Sequence, residues 1–183
     1  MRRDTERLLD EYLTASARIG DMRAFERLAA RWQPKLLSHA WRLTGEADLA
    51  REVVQDAWVQ ITRGLARLDD VAAFPAWAFR IVTRRAAKSI RQRQRTRRLA
   101  DAVGLEPRDP PLPGPERRAD AATVAAILEA LPAGQRAAMA LFYVEDLSVA
   151  EIAVALQVPV GTVKTRLMHG RQKIRDALKG DES

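Results

Sequence analysis

Apolar side chains recur at every third or fourth position along most of this chain, which is the spacing of an amphipathic helix. The pattern predicts helices over residues 4–19, 22–43 and from about 49 to 65, separated by a break at Gly20-Asp21 and a turn at residues 44–48. It resumes near residue 116, with one helix to Leu131 and another through Tyr143. We find no alternation of apolar and polar residues that would predict strands. An all-α fold is therefore predicted.

A proline-rich stretch interrupts the helical pattern between residues 101 and 116. It holds five of the nine prolines of the chain, a composition typical of an extended linker. We therefore predict two small helical domains, residues 1–100 and 116–183, joined by a flexible linker over residues 101–115.

The segment from Leu147 to Leu178 contains two helical periods with a short break between them. The break is Gln157-Val158-Pro159-Val160-Gly161, in which proline lacks an amide donor and glycine admits unusual dihedral angles. Either Asp146 or Ser148 can cap the first helix. Its apolar edge is formed by Ile152, Ala153 and Leu156, and the second helix has a stripe of Val163, Leu167, Gly170, Ile174 and Leu178. Two helices joined by a tight turn predict a helix-turn-helix.

Polar and basic residues occupy the other faces of the second helix. Thr165, His169 and Gln172 lie about 200° round the helix from the stripe, and cations flank them on both sides. A reader of the major groove needs such cations to meet two phosphate backbones, with short polar side chains between them to reach base edges. The candidate DNA contacts are Thr162, Lys164, Thr165, Arg166, His169, Arg171, Gln172 and Lys173. A solvated amphipathic helix is the alternative.

A second basic segment runs from Arg80 to Arg98 and contains nine cations and no acid. Phe74, Trp77 and Phe79 precede it or stand at its start. Unpaired bases stack on aromatic rings while arginines hold the backbone, so the segment suits single-stranded or melting DNA. At least two of the three aromatic residues are also expected in the core. The candidate contacts are Phe74, Trp77, Arg80, Arg84, Arg85, Lys88 and Arg91.

Composition narrows the classes of function. The formal net charge of +7 favours a polyanionic partner. There is no cysteine and the two histidines stand apart, so no metal site, cofactor or catalytic constellation is expected, and the protein is predicted not to be an enzyme. No apolar run approaches the length of a membrane span, which predicts a soluble cytoplasmic protein without membrane insertion. We find no obvious dimerisation helix and expect a monomer in the free state.

Three motifs, in this order, resemble bacterial sigma factors of the extracytoplasmic-function group of the sigma-70 family. The first is DLAREVVQD at Asp48 to Asp56, and the second is WAFRI at Trp77 to Ile81. The third begins at Leu131-Pro132 and includes EIA at Glu151 to Ala153, GTVKTRL at Gly161 to Leu167 and Gly170-Arg171. Together they cover nearly the whole chain.

The resemblance implies a protein that binds core RNA polymerase and directs it to promoter DNA. It implies that the clamp helices of the largest subunit meet Glu52, Gln55, Asp56 and Gln60, and that the C-terminal domain packs on the flap of the second-largest subunit. The basic helix from Arg80 to Arg98 would open the downstream (minus-ten) element, with residues 69–73 helping to capture an extruded base. The helix-turn-helix would read the upstream (minus-thirty-five) element. An anti-sigma factor is a further expected partner.

Five positions depart from the residues that are frequent in the family. Arg84 and Lys88 stand where Asn and Asp are frequent, Gln157 where glycine is frequent, Pro159 where serine is, and His169 where arginine is. We expect Pro159 and His169 to influence which promoter is read. A stand-alone helix-turn-helix regulator remains the main alternative, although it would leave residues 52–56 and 74–98 without a role, and an interaction module or antagonist is a further one.

Overall fold

The computed structural model describes residues 2–102 and 126–180. The helices in these ranges are α1 (Arg2–Arg18), α2 (Met22–Thr44), α3 (Ala47–Gly64), α4 (Phe74–Ala102), α5 (Ala133–Tyr143), α6 (Val149–Leu156) and α7 (Val160–Gly180). Two short 3-10 turns, Leu65–Arg67 and Val71–Ala73, connect α3 to α4, and residues 126–129 are also helical. The predicted all-α fold is confirmed.

The chain divides into two compact units, one of Met1–Ala86 with Val154–Gln157 and the other of Ala87–Ala153 with Val158–Ser183. Each unit is described by itself. The domain limits predicted above stay a prediction, because most of the linker at residues 101–115 lies outside the described residues.

Local signals at the ends of α2 explain why that helix begins and stops where it does. The Asp21 carboxylate accepts a hydrogen bond from the Ala24 amide at 3.1 Å, which satisfies one of the donors that a helix start leaves free. At the other end, Gly45 adopts a φ of 72° and donates its amide to the Trp41 carbonyl at 2.8 Å. A residue with a Cβ is strained in that conformation, so glycine is the natural stop.

The core of the first unit forms between α2, α3 and the first turns of α4. Trp32 packs edge-on against Phe74, with ring centroids 5.1 Å apart, and against Phe79 at 5.5 Å. The side chains that surround them and are completely or almost completely buried are Leu28, Leu36, Val53, Val54, Ala57, Ile61 and Val82. The apolar period of α3 thus faces inward as predicted.

A buried histidine links α2 to α4 within this core. His39 lies with its Nε2 3.0 Å from the Thr83 hydroxyl, which itself donates to the Phe79 carbonyl at 2.9 Å. The hydroxyl has one hydrogen, so it accepts from His39 and the imidazole carries its proton on Nε2. Burial, with a smaller contribution from the charge of Arg42, lowers the pKa of His39 from 6.5 to about 3. The imidazole is therefore neutral in the folded protein at physiological pH.

The helix-turn-helix of the second unit begins with a reciprocal cap. The Ser148 hydroxyl accepts from the Glu151 amide at 3.2 Å, and the Glu151 carboxylate accepts from the Ser148 amide at 2.7 Å. This is a capping box, in which two free amides of the first turn are satisfied by one pair of side chains. Of the two predicted caps, Ser148 is therefore the one used, while Asp146 precedes the helix with a φ of 57°.

The turn after α6 places a residue with a side chain in the left-handed region. Gln157 has a φ of 55°, and the Val158 amide donates to the Ala153 carbonyl at 3.1 Å, as in a Schellman motif. This conformation favours glycine, so glutamine carries a conformational cost here.

Burial in α6 and α7 follows the predicted stripe except at Ala153 and at Ile174, which is half-buried. Ile152, Leu156, Val163 and Leu167 are buried, and Gly170 approaches the Met139 side chain so closely that a Cβ would lie 2.8 Å from its Cγ. Ala155 is completely buried whereas Ala153 is half-buried, so the prediction that Ala153 completes the apolar edge was wrong by two positions. The side chain of Leu178, the last residue of the stripe, lies outside the described residues.

Candidate nucleic-acid interface

The outer face of α7 presents short polar side chains and cations. Lys164, Thr165, His169 and Lys173 are exposed, and Thr162 is half-buried. The Thr165 hydroxyl donates to the Gly161 carbonyl at 3.0 Å, which turns its oxygen lone pairs outward as acceptors. These residues have the chemistry that a base edge and its neighbouring phosphates require.

Three other predicted contacts on α7 are held within their own unit. The Arg171 Nε donates to the Tyr143 hydroxyl at 2.7 Å, and its guanidinium lies 5.5 Å from the Phe142 ring centroid. The Gln172 side chain donates to Asp176 at 2.8 Å and accepts from Arg175 at 3.3 Å. Arg166 is half-buried, with its guanidinium against the Gly134 backbone. Arg171 and Gln172 are nevertheless exposed, whereas Arg166 is half-buried.

A cationic stripe runs along the outer face of α4. Its members are exposed and recur three, four and seven residues apart, so they share one side of the helix: Arg80, Arg84, Lys88 and Arg91. Trp77 lies at the start of the same face, three residues before Arg80, and is half-buried. Its ring rests on α3, because a Cβ added to Gly64 would lie 2.9 Å from the Trp77 Cζ2. The outer face of α4 therefore carries a row of exposed cations that begins with an aromatic ring.

Phe74 does not belong to this surface. Phe74 and Phe79 are both completely buried, and Phe74 packs against Trp32. The expectation that at least two of the three aromatic residues lie in the core is confirmed. A fully buried ring has no face to offer a base, so Phe74 is removed from the candidate contacts.

Arg85 also lies away from the stripe and points toward α3. Its Nη1 lies 3.4 Å from an Asp56 carboxylate oxygen. With the Gln60 amide oriented so that its oxygen faces the guanidinium, Gln60 accepts from the same arginine. Arg85 therefore joins two helices instead of projecting outward, and the prediction that it contacts DNA does not fit this arrangement.

The outer face of α3 carries the residues predicted to bind polymerase. Glu52, Gln55, Asp56 and Gln60 are exposed. Val59, which the sequence reasoning did not single out, lies three residues after Asp56 and is 46% exposed. An exposed valine between acids and amides gives this face the mixed character of a protein interface. Its position three and seven residues after Asp56 and Glu52 was a signal that could have identified it.

Two features that would indicate other functions are absent from the described part of the chain. No group of three or more His, Cys, Asp or Glu side chains could hold a metal ion among residues 2–102 and 126–180. No helix in those same ranges is both long and apolar enough to cross a membrane.

Comparison with known proteins identifies both units. The family profile described as Sigma-70 region 2 matches residues 28–96, and the profile described as Sigma-70, region 4 matches residues 122–174. The RNA polymerase sigma-H factor of Pseudomonas aeruginosa is 31% identical over 180 residues, covering 92% of this chain and 93% of the relative. The ECF RNA polymerase sigma-E factor of Escherichia coli K12 is 29% identical over 181 residues, covering 93% and 94%.

Two solved structures are also similar. CnrH in complex with the cytosolic domain of CnrY superposes with a TM-score of 0.64 and 27% identity, covering 94% of this chain and 99% of that one. The sigma factor RpoE in complex with the anti-sigma factor NepR from Bartonella quintana gives a TM-score of 0.63, with 85% and 96% covered. At 24% identity, the second likeness shows the fold alone.

A helical unit with an acidic face and an aromatic-cationic helix, followed by a helix-turn-helix, is the arrangement of a sigma factor. The chain belongs to the extracytoplasmic-function group of the sigma-70 family of RNA polymerase sigma factors. It is a promoter-selecting subunit that directs transcription initiation by core RNA polymerase. The family is not one of enzymes. A stand-alone regulator is not favoured, because the region 2 profile covers the segments that such a regulator would leave without a role.

Proposed function

We propose that this sigma factor divides promoter recognition between the outer faces of α4 and α7. Trp77, Arg80, Arg84, Lys88 and Arg91 hold and open the downstream element, and the exposed residues of α7 read the upstream element. The observation that carries the proposal is the row on α4, where an aromatic ring and four exposed cations share one face. We propose that the chain has two domains, residues 1–100 and 116–183, joined by a linker over residues 101–115.

The α4 face suits a strand that is leaving the duplex. Stacking on an aromatic ring contributes about 1 to 3 kcal/mol per base and tolerates any base, while cations along the helix neutralise successive phosphates. Arg84 and Lys88 extend this row where family members often have uncharged or acidic residues. They favour backbone binding over base reading at those two positions.

The α7 face suits an intact duplex. Lys164 and Lys173 supply point charges for phosphates on either side, while Thr165 and His169 supply the acceptors and donors that distinguish base edges in the major groove. Arg171 and Arg166 contribute by fixing α7 against α5, through Tyr143 and Gly134.

The α3 face is the proposed contact with the clamp helices of the largest polymerase subunit. Glu52, Gln55, Asp56 and Gln60 surround Val59, so a small apolar centre has a polar rim, as productive protein interfaces commonly do. The C-terminal unit is proposed to pack on the flap of the second-largest subunit.

An anti-sigma factor is the proposed regulator. One similar structure contains the sigma factor RpoE bound to the anti-sigma factor NepR, and the other contains CnrH bound to the cytosolic domain of CnrY. We propose that this chain acts in the cytoplasm, where RNA polymerase works, and is monomeric when it is bound to neither partner.

Run-off transcription with purified core polymerase on fragmented genomic DNA of the source bacterium tests the function. We expect specific transcripts whose start sites share one downstream and one upstream element. The same fragments with core polymerase alone should give none. Absence of specific transcripts with several bacterial core enzymes would contradict the proposal and favour the stand-alone regulator.

A further inference from the structure

The middle of the outer face of α7 carries a large apolar side chain. Met168 is 57% exposed, whereas Val163 and Leu167, the apolar residues of the stripe that precede it, are buried. Met168 lies three residues after Thr165 and four before Gln172, so it shares their side of the helix and not that of the buried stripe. An apolar residue therefore stands among the polar residues that face away from the core.

The polar side chains on either side of Met168 are held in opposite directions along the helix. The Thr165 hydroxyl donates to the Gly161 carbonyl at 3.0 Å, toward the start of α7. The Gln172 amide donates to the Asp176 carboxylate at 2.8 Å, toward its end. Neither hydrogen bond crosses the position of Met168. The exposed thioether therefore forms an apolar spot between two anchored polar groups.

The chemistry of methionine limits what this side chain can recognise. A thioether has no hydrogen to donate and is only a weak acceptor, so it does not read the polar atoms of a base edge. The major groove offers one apolar group, the C5-methyl of thymine. Methionine is unbranched and polarisable and has three rotatable bonds, so it adapts to the position of such a group. Contact with a thymine methyl is the recognition that this position supports.

Exposure alone would not single out Met168, because single exposed apolar side chains are common on protein surfaces and Val144, beyond the end of α5, is 66% exposed. The surroundings of Met168 distinguish it. Lys164 precedes it by one helical turn and is exposed, so a phosphate bound by Lys164 places the methionine near base edges of the same groove. Contact there removes apolar surface of both partners from water, which stabilises the complex.

We propose that Met168 is a specificity-determining residue whose thioether packs against the C5-methyl group of one thymine in the upstream element. The inference rests on the proposed function of the α7 face, and it adds a base type that the polar residues of that face do not define. Uracil lacks the methyl group but keeps the polar atoms of the thymine edge. Replacement of thymine by uracil therefore removes the proposed contact and nothing else.

The test uses holoenzyme assembled from the full chain and core polymerase, with duplex fragments of a promoter found by run-off transcription. Each thymine of the upstream element, on either strand, is replaced in turn by uracil, and the affinity is measured by competition with the unmodified fragment. We expect the wild-type holoenzyme to bind about fourfold more weakly when one particular thymine is replaced, the size of effect that burial of one methyl group produces. That ratio of affinities is then measured for variants of Met168.

Met168→Ala removes the thioether and should reduce the ratio to about 1.5 or less. Met168 is exposed and alanine favours helices, so this variant should fold normally. Met168→Leu keeps an apolar side chain of similar volume and should retain most of the ratio. Because both fragments are measured with the same sample, the ratio does not depend on the fraction of active holoenzyme.

Two control variants separate this contact from other effects on binding. Val144→Ala truncates an exposed apolar residue outside α7 and should leave the ratio unchanged. Lys173→Ala should weaken binding to both fragments equally, because a phosphate contact does not distinguish the bases.

A full ratio in Met168→Ala would assign the methyl contact to another residue, such as Thr165 with its own methyl group, and would overturn the proposal. Specific transcription from promoters whose upstream element contains no thymine, or tolerates uracil at every thymine, would also overturn it while leaving the proposed function intact. If the wild-type holoenzyme gives no specific transcripts, the proposed function and this inference both fail.

Discussion

The two DNA-facing helices hold their polar side chains in different ways. On α4, the cations of the stripe are exposed, and the side chain that departs from the stripe, Arg85, is the one tied to another helix. On α7, Arg171 and Gln172 are already engaged with side chains of their own unit, and Arg166 lies against Gly134. The residues proposed to read DNA on α7, Lys164, Thr165, His169 and Lys173, are exposed as well, but the arginines beside them are held within their own unit.

This difference matches the two forms of DNA that the surfaces are proposed to meet. A duplex has a fixed groove, so a pre-organised reader loses little side-chain entropy when it binds. A melting strand changes shape during the reaction, and exposed cations on long side chains can follow it. The difference predicts that substitutions in α7 alter selection of the upstream element, while substitutions in α4 alter opening.

The largest expected effect is the difference in stability and in transcription between alanine variants of Phe74 and Trp77. Phe74→Ala should lower the free energy of unfolding by about 3 to 5 kcal/mol, because it removes a fully buried ring and leaves a cavity. Trp77→Ala should cost less stability, because that ring is half-buried, yet should strongly reduce transcription from duplex promoters. Urea unfolding and run-off transcription measure the two quantities. Equal loss of stability in both variants would remove the distinction between core and surface.

The second effect is a pH dependence of the free energy of unfolding, which originates at His39 in the first unit. The pKa of His39 is about 3 in the folded protein, against 6.5 for the free side chain. Above pH 6.5 the His39 imidazole is neutral in both the folded and the unfolded protein, so it does not lower the free energy of unfolding. As the pH falls below 6.5, the unfolded chain gains a proton that the folded chain does not, and stability falls by about 1.4 kcal/mol per pH unit.

Urea unfolding between pH 7.5 and 5 measures this slope in a range where most carboxylates stay ionised. His39→Gln should flatten the slope, although it lowers stability at every pH. His169→Gln is the matched control, because His169 is the other histidine and is exposed on α7. A slope that survives in His39→Gln would show that another group titrates.

A smaller effect concerns Arg171 on α7. Arg171→Ala removes a hydrogen bond and the stacking on Phe142 and Tyr143, and should lower the stability of the C-terminal unit by about 1 kcal/mol. Tyr143→Phe should couple with it in a double-mutant cycle. Lys173→Ala, an exposed cation on the same helix, should leave stability unchanged and weaken promoter binding. Additive effects of Arg171→Ala and Tyr143→Phe on thermal unfolding would argue that the contact contributes nothing.

The smallest expected effect is a difference between Arg84 and Arg85, two neighbouring arginines on α4, in the salt dependence of DNA binding. Arg84→Ala should reduce the salt dependence of holoenzyme binding to a single-stranded downstream element by about 0.7 in the slope of log K against log salt, the value for one phosphate contact. Arg85→Ala should leave that slope nearly unchanged, because Arg85 lies against Asp56 and Gln60. Binding titrations at four or five salt concentrations are sufficient. Equal slopes for both variants would return Arg85 to the DNA surface.

Signals that lie within one helix were readable from the sequence. Gly20-Asp21 separates α1 from α2, and Gly45 ends α2 before α3, at the breaks that the sequence predicts. Helix caps and C-terminal residues with a left-handed conformation depend on adjacent residues only. The inward stripe of α3 and the opposite polar face follow from the helical repeat in the same way. The burial of two of the three aromatic residues was also expected, although the sequence did not say which two.

Contacts between helices were not readable, because they depend on how each helix is rotated against its neighbour. The sequence could not pair Arg171 with Tyr143 or Arg85 with Asp56, and it placed Ala153 where Ala155 is buried. The choice of Ser148 over Asp146 as the cap, by contrast, was readable, because Glu151 three residues later completes a local capping box.

The central claim is that α4 opens the promoter and α7 selects it. Run-off transcription on two templates tests this directly, one fully duplex and the other pre-melted across the downstream element. We predict that the defect of Trp77→Ala is much smaller on the pre-melted template, since opening is no longer required, while the defect of Lys164→Ala is the same on both. If pre-melting rescued both variants equally, or rescued only Lys164→Ala, this division of work between the two helices would be contradicted.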